Sequence, residues 1–438
     1  MDAPLIQHPG GFTRPNGRSD FEVAIICALT LEFDAVCLLI DEFWDEYGDR
    51  YGKVQGDHNI YTTGRMGTCN VVVVQLPNMG KALAASAAAS LRSSYPQVSL
   101  ALLVGVCGAV PFIRHESGMN AISLGDVIIS NIVVQYDTAL DSLGRPNKMI
   151  RNILAHLSGT IAHEQIEQRA NSFLEDIQRK TRKKARGNRR RGYADYQYPG
   201  AANDRLFHSG YQHKHGSGSG CMICEKCHGD KDPTCLETLK LSCEELGCDS
   251  SYLIQREHLQ STPDDSDSDG PGGIYYHIGA IGSGDAVIRS GKHRDQIAAE
   301  AGVIAFEMEG AGVWDELPCI VIKGVCDYAD SHKNKGWQNY AAATAASVAK
   351  AIMGRYIATV RVSESSQVSD PSRVSSPSWG SDSSPSLGAD GVGRQVIQWD
   401  GGKAGSGVGA VRFNGNVSGS KLVAGPYSSG GTMDFRFA

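Results

Sequence analysis

Three short runs of aliphatic residues constrain this chain more than any other feature. Phe21-Glu22-Val23-Ala24-Ile25-Ile26-Cys27, Val71-Val72-Val73-Val74 and Leu100-Ala101-Leu102-Leu103-Val104 are continuously apolar rather than alternating. Such strands are covered on both faces, which calls for helices on either side of a largely parallel sheet. The alanine-rich stretch from Gly80 to Arg92 suits a helix lying close on that sheet. The expected class is therefore α/β, a three-layer sandwich with a central mixed sheet flanked by helices.

The same pattern returns near the other end. Ile274 to Ile281, Val303 to Met308 and Cys319 to Val325 read as strands, Lys292 to Ala301 and Trp337 to Tyr356 as helices. Residues 144–272 interrupt it. Asn147 to Ala185 reads as one long helix, with Ile153, Leu157, Ile161, Ile166, Phe173 and Ile177 near helical spacing. A basic run follows from Arg179 to Arg191, then a Cys/His-rich piece, then an acidic stretch from Thr262 to Gly273. The expected organisation is a disordered N-terminus over 1–20 and an α/β domain over 21–358 with a helical and Cys-rich insert at 144–272. A Ser/Pro-rich linker over 359–392 and a Gly-rich tail over 393–438 complete it.

Composition narrows the class. At 438 residues the chain has room for two or three domains of roughly 150 residues. Its net charge of −6 argues against nucleic-acid or membrane-surface binding by the whole protein. The longest apolar stretch, Val98 to Ile113, is broken by Ser99, Gly105, Gly108 and Pro111, short of the roughly 20 residues a membrane span needs. With no secretory signal in residues 1–20, the 12 cysteines read as reduced thiols or metal ligands, and the expected location is cytoplasmic.

Chemistry concentrates at strand ends, where α/β sheets hold their ligands. The first strand runs into Ala28-Leu29-Thr30-Leu31-Glu32. The third apolar run ends in the Gly-rich turn Val104-Gly105-Val106-Cys107-Gly108-Ala109-Val110. Two later strands end in acids, at Phe306-Glu307-Met308-Glu309-Gly310 and Gly324-Val325-Cys326-Asp327-Tyr328-Ala329-Asp330. Glu32, Glu309 and Asp327 are thereby expected around one pocket, with the insert near its mouth. The plain alternatives stand beside this: a helix cap for Glu309 or Asp327, a favourable first-turn charge for Glu32, and simple apolar packing for Cys107.

These segments resemble the nucleoside phosphorylase and nucleosidase superfamily, which includes purine and uridine phosphorylases and methylthioadenosine nucleosidases. VGVCGAV (104–110), SLGDVIIS (123–130), GSGDAV (282–287), FEMEGAG (306–312) and CDYADSHKN (326–334) occur in the family's order. Fungal multidomain members look most similar. The resemblance implies that Glu309, with Met308, holds the ribose hydroxyls and that Asp327 is the general acid at purine N7. Val287 and Ile288 would line the base, beside the Cys107 and Gly108 turn. Glu32 falls where nucleosidases place the carboxylate that orients water.

The chemistry agrees with those roles. N-glycosidic cleavage passes through an oxocarbenium-like state, and a purine leaves well once protonated. Hexameric phosphorylases carry phosphate-binding residues at three places where this chain has Glu32, Leu103 and Val106. These replacements remove anion-binding donors and add a repelling carboxylate. Water is thus favoured as the nucleophile, although Lys323 offers a cation that can hold an anion.

The remaining motifs are less tied to that chemistry. Cys221, Cys224, Cys227 and His228 form a candidate structural zinc set, with free thiols as the alternative. Nine of the 13 residues in 179–191 are Lys or Arg. They read as a solvated helix end, a cup for the phosphates of a nucleotide such as ATP, or a nucleic-acid contact. The tail around Val411-Arg412-Phe413-Asn414-Gly415-Asn416-Val417 looks like the amyloid-forming signalling motifs of fungal immune-type proteins, or else is a plain Gly-rich tail.

The expected function is hydrolysis of the N-glycosidic bond of a purine nucleoside or nucleotide, without an organic cofactor. A phosphate-dependent phosphorylase and a non-catalytic nucleoside-binding sensor are the alternatives. The resemblance implies a homo-oligomer, and the tail motif a signalling partner joined by assembly. No membrane partner is expected.

Overall fold

The computed structural model describes residues 14–115, 118–137, 140–187, 194–229, 232, 234–256, 273–333, 335–364, 422–424 and 435–437. The chain divides into two units, Met1–Asp370 and Pro371–Ala438.

In the first unit the strands are β1 (Val23–Cys27), β2 (Glu42–Phe43), β3 (Tyr61–Met66), β4 (Cys69–Gln75), β5 (Leu100–Ala109) and β6 (Phe112–His115). They continue with β7 (Gly118–Ala121), β8 (Val127–Gln135), β9 (Asp141–Ser142), β10 (Tyr276–Ser283), β11 (Val303–Glu307) and β12 (Cys319–Asp327). The helices are α1 (Thr30–Leu38), α2 (Lys81–Ser94), α3 (Lys148–Leu157), α4 (Thr160–Gly187), α5 (Met222–Glu225) and α6 (Cys243–Leu246). After these come α7 (Gly291–Ala301), α8 (Gly310–Trp314) and α9 (Gln338–Glu364).

The three apolar runs become β1, β4 and β5, and β1 lies parallel between the other two. The mixed sheet follows the order β11-β10-β8-β12-β5-β1-β4-β3-β2, with β9 paired to β8. β12 is parallel to β5 and antiparallel to β8. The sheet also curls back on itself: β11 pairs antiparallel with the far end of β5, Ala305 against Ala109 and Phe306 against Gly108. Strand twist carried this far turns five strands into a closed ring. The ends of β5, β11 and β12 therefore meet in one place.

Small residues set how closely helices approach the sheet. Ala341, Ala342, Ala345 and Ala349 of α9 are buried, and a Cβ on Gly324 of β12 would lie 1.9 Å from the Ala341 carbonyl oxygen. A Cβ on Gly312 of α8 would meet the Lys81 carbonyl oxygen of α2 at 2.0 Å. These two contacts are backbone to backbone, so glycine is required.

Three expectations change. The long helix of the insert is two helices, α3 and α4, parted at Ser158 and Gly159. Its helical half belongs to the main core, where Ile166, Ala170, Leu174 and Ile177 are buried and α4 packs on α9. Residues 14–20, expected to be disordered, include a short 3-10 helix, Arg18–Asp20. The closing helix runs to Glu364, into the segment read as linker.

In the second unit, strands β13 (Leu422–Ala424) and β14 (Phe435–Phe437) pair antiparallel. The segment 411–419 lies outside the described residues, as do 1–13, the end of the basic run from 188, and the acidic stretch 262–272. Among the described residues, no helix is long and apolar enough to cross a membrane.

Candidate active site

Glu32 sits at the third position of α1, and its side chain turns back toward the strand it follows. Oε2 accepts from the backbone N–H groups of Ala28 (2.9 Å) and Leu29 (2.8 Å), and Oε1 from that of Val106 (2.8 Å). One carboxylate thus caps the first turn of α1 and reaches across to the turn after β5. Gly105 makes this possible, since a Cβ there would come within 2.4 Å of Glu32 Oε1. Burial raises the Glu32 carboxyl above its ordinary range against the opposing pull of the Lys323 ammonium.

Asp327 is aimed by an irregularity in β12. Val325 pairs with Cys107 and Asp327 with Gly108, so Cys326 is an extra residue that bulges the strand. Asp327 Oδ1 accepts from the Ala329 backbone N–H at 2.8 Å and pairs with Lys333 Nζ at 2.9 Å. Gly108 leaves room for it: a Cβ would stand 2.7 Å from Asp327 Oδ1. Ala329 has φ of 49°, the one positive value outside glycine among the described residues. Backbone strain of this sort persists where surroundings enforce it, commonly at sites.

A buried charge network underlies the third acid. Glu309 Oε2 accepts from Lys323 Nζ at 3.0 Å, and Glu307 Oε2 lies 3.4 Å from the same ammonium. Glu307 also accepts from the backbone N–H groups of Glu309 and Gly310. Burial opposes the charge on Lys323, but Glu309, Glu307 and Glu32 hold its ammonium above the ordinary value. Lys323 is 1% exposed and its charge is engaged by carboxylates. The expectation that it serves as an anion-binding residue is therefore corrected: it anchors Glu309 from beneath.

Glu32, Glu309 and Asp327 line one cavity of about 770 Å³, together with Met308, Val287, Ile288, Cys107 and Gly108. Lys323 and Leu103 are not on its wall; Leu103 is fully buried in β5. Cys107 is buried, and desolvation raises its thiol, which suits packing rather than nucleophilic work. Residues with no role in the sequence reading also face the space. Tyr136 and Phe306 meet edge to face with ring centroids 5.7 Å apart. Lys240, Arg289, Lys333 and Lys335 bring positive charge to the wall. Phe306 and Lys333 lie inside quoted motifs, but nothing in their spacing marked them.

The insert reaches this site through its second half. Leu239, Lys240, Leu241, Ser242 and Glu245 line the cavity. The described part of the basic run does not: Arg179 pairs with Asp176, Lys180 donates to the Leu38 carbonyl oxygen and Arg182 to Gln197. Of the candidate zinc set, Cys221 and Cys224 gather with His215 and Cys235, all four ligand atoms within 4.8 Å of one another. Cys227 stands apart, donating to Gln212 Oε1 at 3.1 Å, and His228 is not in the group. Chain order misled here, because Cys235 lies against His215 although 20 residues separate them.

Residues 22–189, which hold Glu32 and the turn at Cys107 and Gly108, match the model of the phosphorylase superfamily. The chain is 29% identical over 351 residues to a nucleotide-binding leucine-rich repeat (NLR)-like protein of Hyaloscypha variabilis. That alignment covers 76% of this chain and 29% of the relative, so the chain corresponds to under a third of the relative's length. Among solved structures, the chain is similar to futalosine hydrolase of Helicobacter pylori, with 15% identity and a TM-score of 0.39. That match covers 77% of this chain and 98% of the other. It is also similar to the MTA/SAH nucleosidase of Streptococcus pneumoniae, with 20% identity and a TM-score of 0.38, over 76% and 99% of the two chains.

Proposed function

We propose that this domain hydrolyses the N-glycosidic bond of a purine nucleoside or nucleotide. The carrying observation is that Glu32, at a position where the resemblance gives phosphorylases a phosphate-binding residue, is a buried carboxylate that takes up the backbone N–H groups of Ala28, Leu29 and Val106. A buried carboxylate there repels an anion and suits a neutral nucleophile. In this reading Asp327 gives its proton to purine N7 as the C1′–N9 bond breaks. Glu309, fixed by Lys323, accepts from the ribose hydroxyls. Water adds to C1′ and its proton passes to Glu32. Atoms balance as nucleoside plus water giving free base plus sugar. Lys333 stabilises the Asp327 carboxylate left after transfer.

The cations Lys240, Arg289 and Lys335 at the wall support a substrate with a charged 5′ group, and Tyr136 and Phe306 offer aromatic surface to a base. The likeness of the sequence around Val411 to Val417 to amyloid-forming signalling motifs supports placing the activity in a signalling protein, with the tail as its assembling part. Chromatography of reactions with adenosine, guanosine, AMP and ATP, with and without phosphate, tests the reading. Free base forms without phosphate, and Asp327→Asn lowers the rate about 10²- to 10⁴-fold, the usual worth of a general acid. Base formed only with phosphate makes the protein a phosphorylase; none with any of the four substrates favours a binding sensor.

A further inference from the structure

The Cys-rich half of the insert holds two groups of soft donors, and the second reaches across to the loop that carries Asp327. In the first, the His215 Nδ1 atom is 3.6 Å from Cys224 Sγ and 3.4 Å from Cys235 Sγ, with Cys221 completing a Cys₃His set. In the second, His213 Nδ1 is 3.4 Å from Cys248 Sγ and 3.8 Å from Cys243 Sγ. The ligand atoms of His213, Cys248 and His332 lie within 4.8 Å of one another, and Cys243, outside that group, joins it through its contact with His213. A tetrahedral zinc with Zn–S near 2.3 Å and Zn–N near 2.0 Å separates its S and N ligands by about 3.5 Å. The observed separations bracket that value.

Two independent observations favour a metal over a chance meeting of thiols. The other nitrogen of His213, Nε2, is 3.0 Å from the Leu241 carbonyl oxygen. Donation there fixes the tautomer and leaves the Nδ1 lone pair toward the sulfurs, the arrangement that metal-bound histidines show. His332 is 8% exposed, and neither of its ring nitrogens has a hydrogen-bond partner. Its ring is held flat against Phe207, centroids 4.1 Å apart. The Asp330 Oδ1 atom stands 3.9 Å from Nδ1, beyond hydrogen-bond reach, so the buried imidazole is costly and ligation would satisfy it.

We propose that the chain binds two zinc ions, one at His215, Cys221, Cys224 and Cys235, the other at His213, Cys243, Cys248 and His332. The first closes the insert on itself. The second joins the insert to the catalytic loop, since His332 lies beside Lys333, which pairs with Asp327. The cavity-lining segment from Leu239 to Glu245 is thereby tied at Cys243 to the loop opposite. The Cys₃His and Cys₂His₂ sets are zinc sets rather than calcium or magnesium sets.

The test is metal analysis of the purified full-length chain by plasma mass spectrometry. Two zinc ions per chain are expected, falling to one in Cys224→Ser and to one in Cys248→Ser or His332→Gln. Cobalt loading of the wild-type chain after chelation gives a readout free of folding effects: thiolate-to-cobalt charge-transfer and tetrahedral d–d bands, saturating at two ions. Hydrogen exchange then rises on zinc removal in both 239–248 and 327–333. Zinc absent together with no thiolate–cobalt band overturns the proposal. A single ion lost only with Cys224→Ser overturns the second site, as does iron in place of zinc for the ion's identity. Exchange unchanged over 327–333 overturns the tie to the catalytic loop.

Discussion

Glu32 caps α1 and also lines the cavity, and in the proposed mechanism its burial gives the protein a pH dependence of two opposite signs. As the base, Glu32 must be ionised, so the rate rises with pH through its raised pKa, above the ordinary value of about 4.3. For stability the sign reverses. The folded state holds the Glu32 proton more tightly than the unfolded chain, so its contribution is full below about pH 4.3 and is lost as pH climbs through the raised value. Glu32→Gln should lower kcat about 10²- to 10⁴-fold and flatten the fall in stability over that window. Rate profiles and denaturant melts from pH 4 to 8 check both. A wild-type acidic limb at an ordinary carboxylate pKa, or one that survives in Glu32→Gln, removes Glu32 from the base role.

At the scale of elements, the site depends on how closely α9 lies on β12. Gly324→Ala places a methyl 1.9 Å from the Ala341 carbonyl oxygen and 2.5 Å from its carbon, and neither backbone can yield cheaply. The expected cost is about 3 kcal/mol or more, read from denaturant unfolding; a cost under about 1 kcal/mol would mean that α9 slides freely. The strands themselves were legible because β1, β4 and β5 are continuous apolar runs, and periodicity reports burial directly. The break between α3 and α4 was not, since Ser158 and Gly159 interrupt the apolar spacing by too little to announce an end. The bulge at Cys326 left no mark either: one extra residue in a ten-strand sheet is a matter of register with β5, and register belongs to the pair of strands rather than to one of them. The acids at Glu32, Glu309 and Asp327 stood out by type at strand ends, whereas Lys333, Tyr136 and Phe306 needed the curled sheet to bring them to the same wall.

Over the whole first unit, one device builds the cavity. The sheet closes through β11 onto β5, which collects the ends of three strands, and the insert's second half covers what the ring leaves open. The Cys/His cluster at His215 shows the limit of reading along a chain at this scale. Cys227 and His228 are neighbours of Cys224 in sequence, yet His215 and Cys235 are its neighbours in space. The central claim is that water, not phosphate, attacks the sugar. Hydrolysis in ¹⁸O-enriched water containing unlabelled phosphate, with mass spectrometry of the sugar collected before its C1 hydroxyl exchanges, tests that claim most directly. One ¹⁸O atom per sugar is predicted. A sugar 1-phosphate without ¹⁸O at C1 would contradict it.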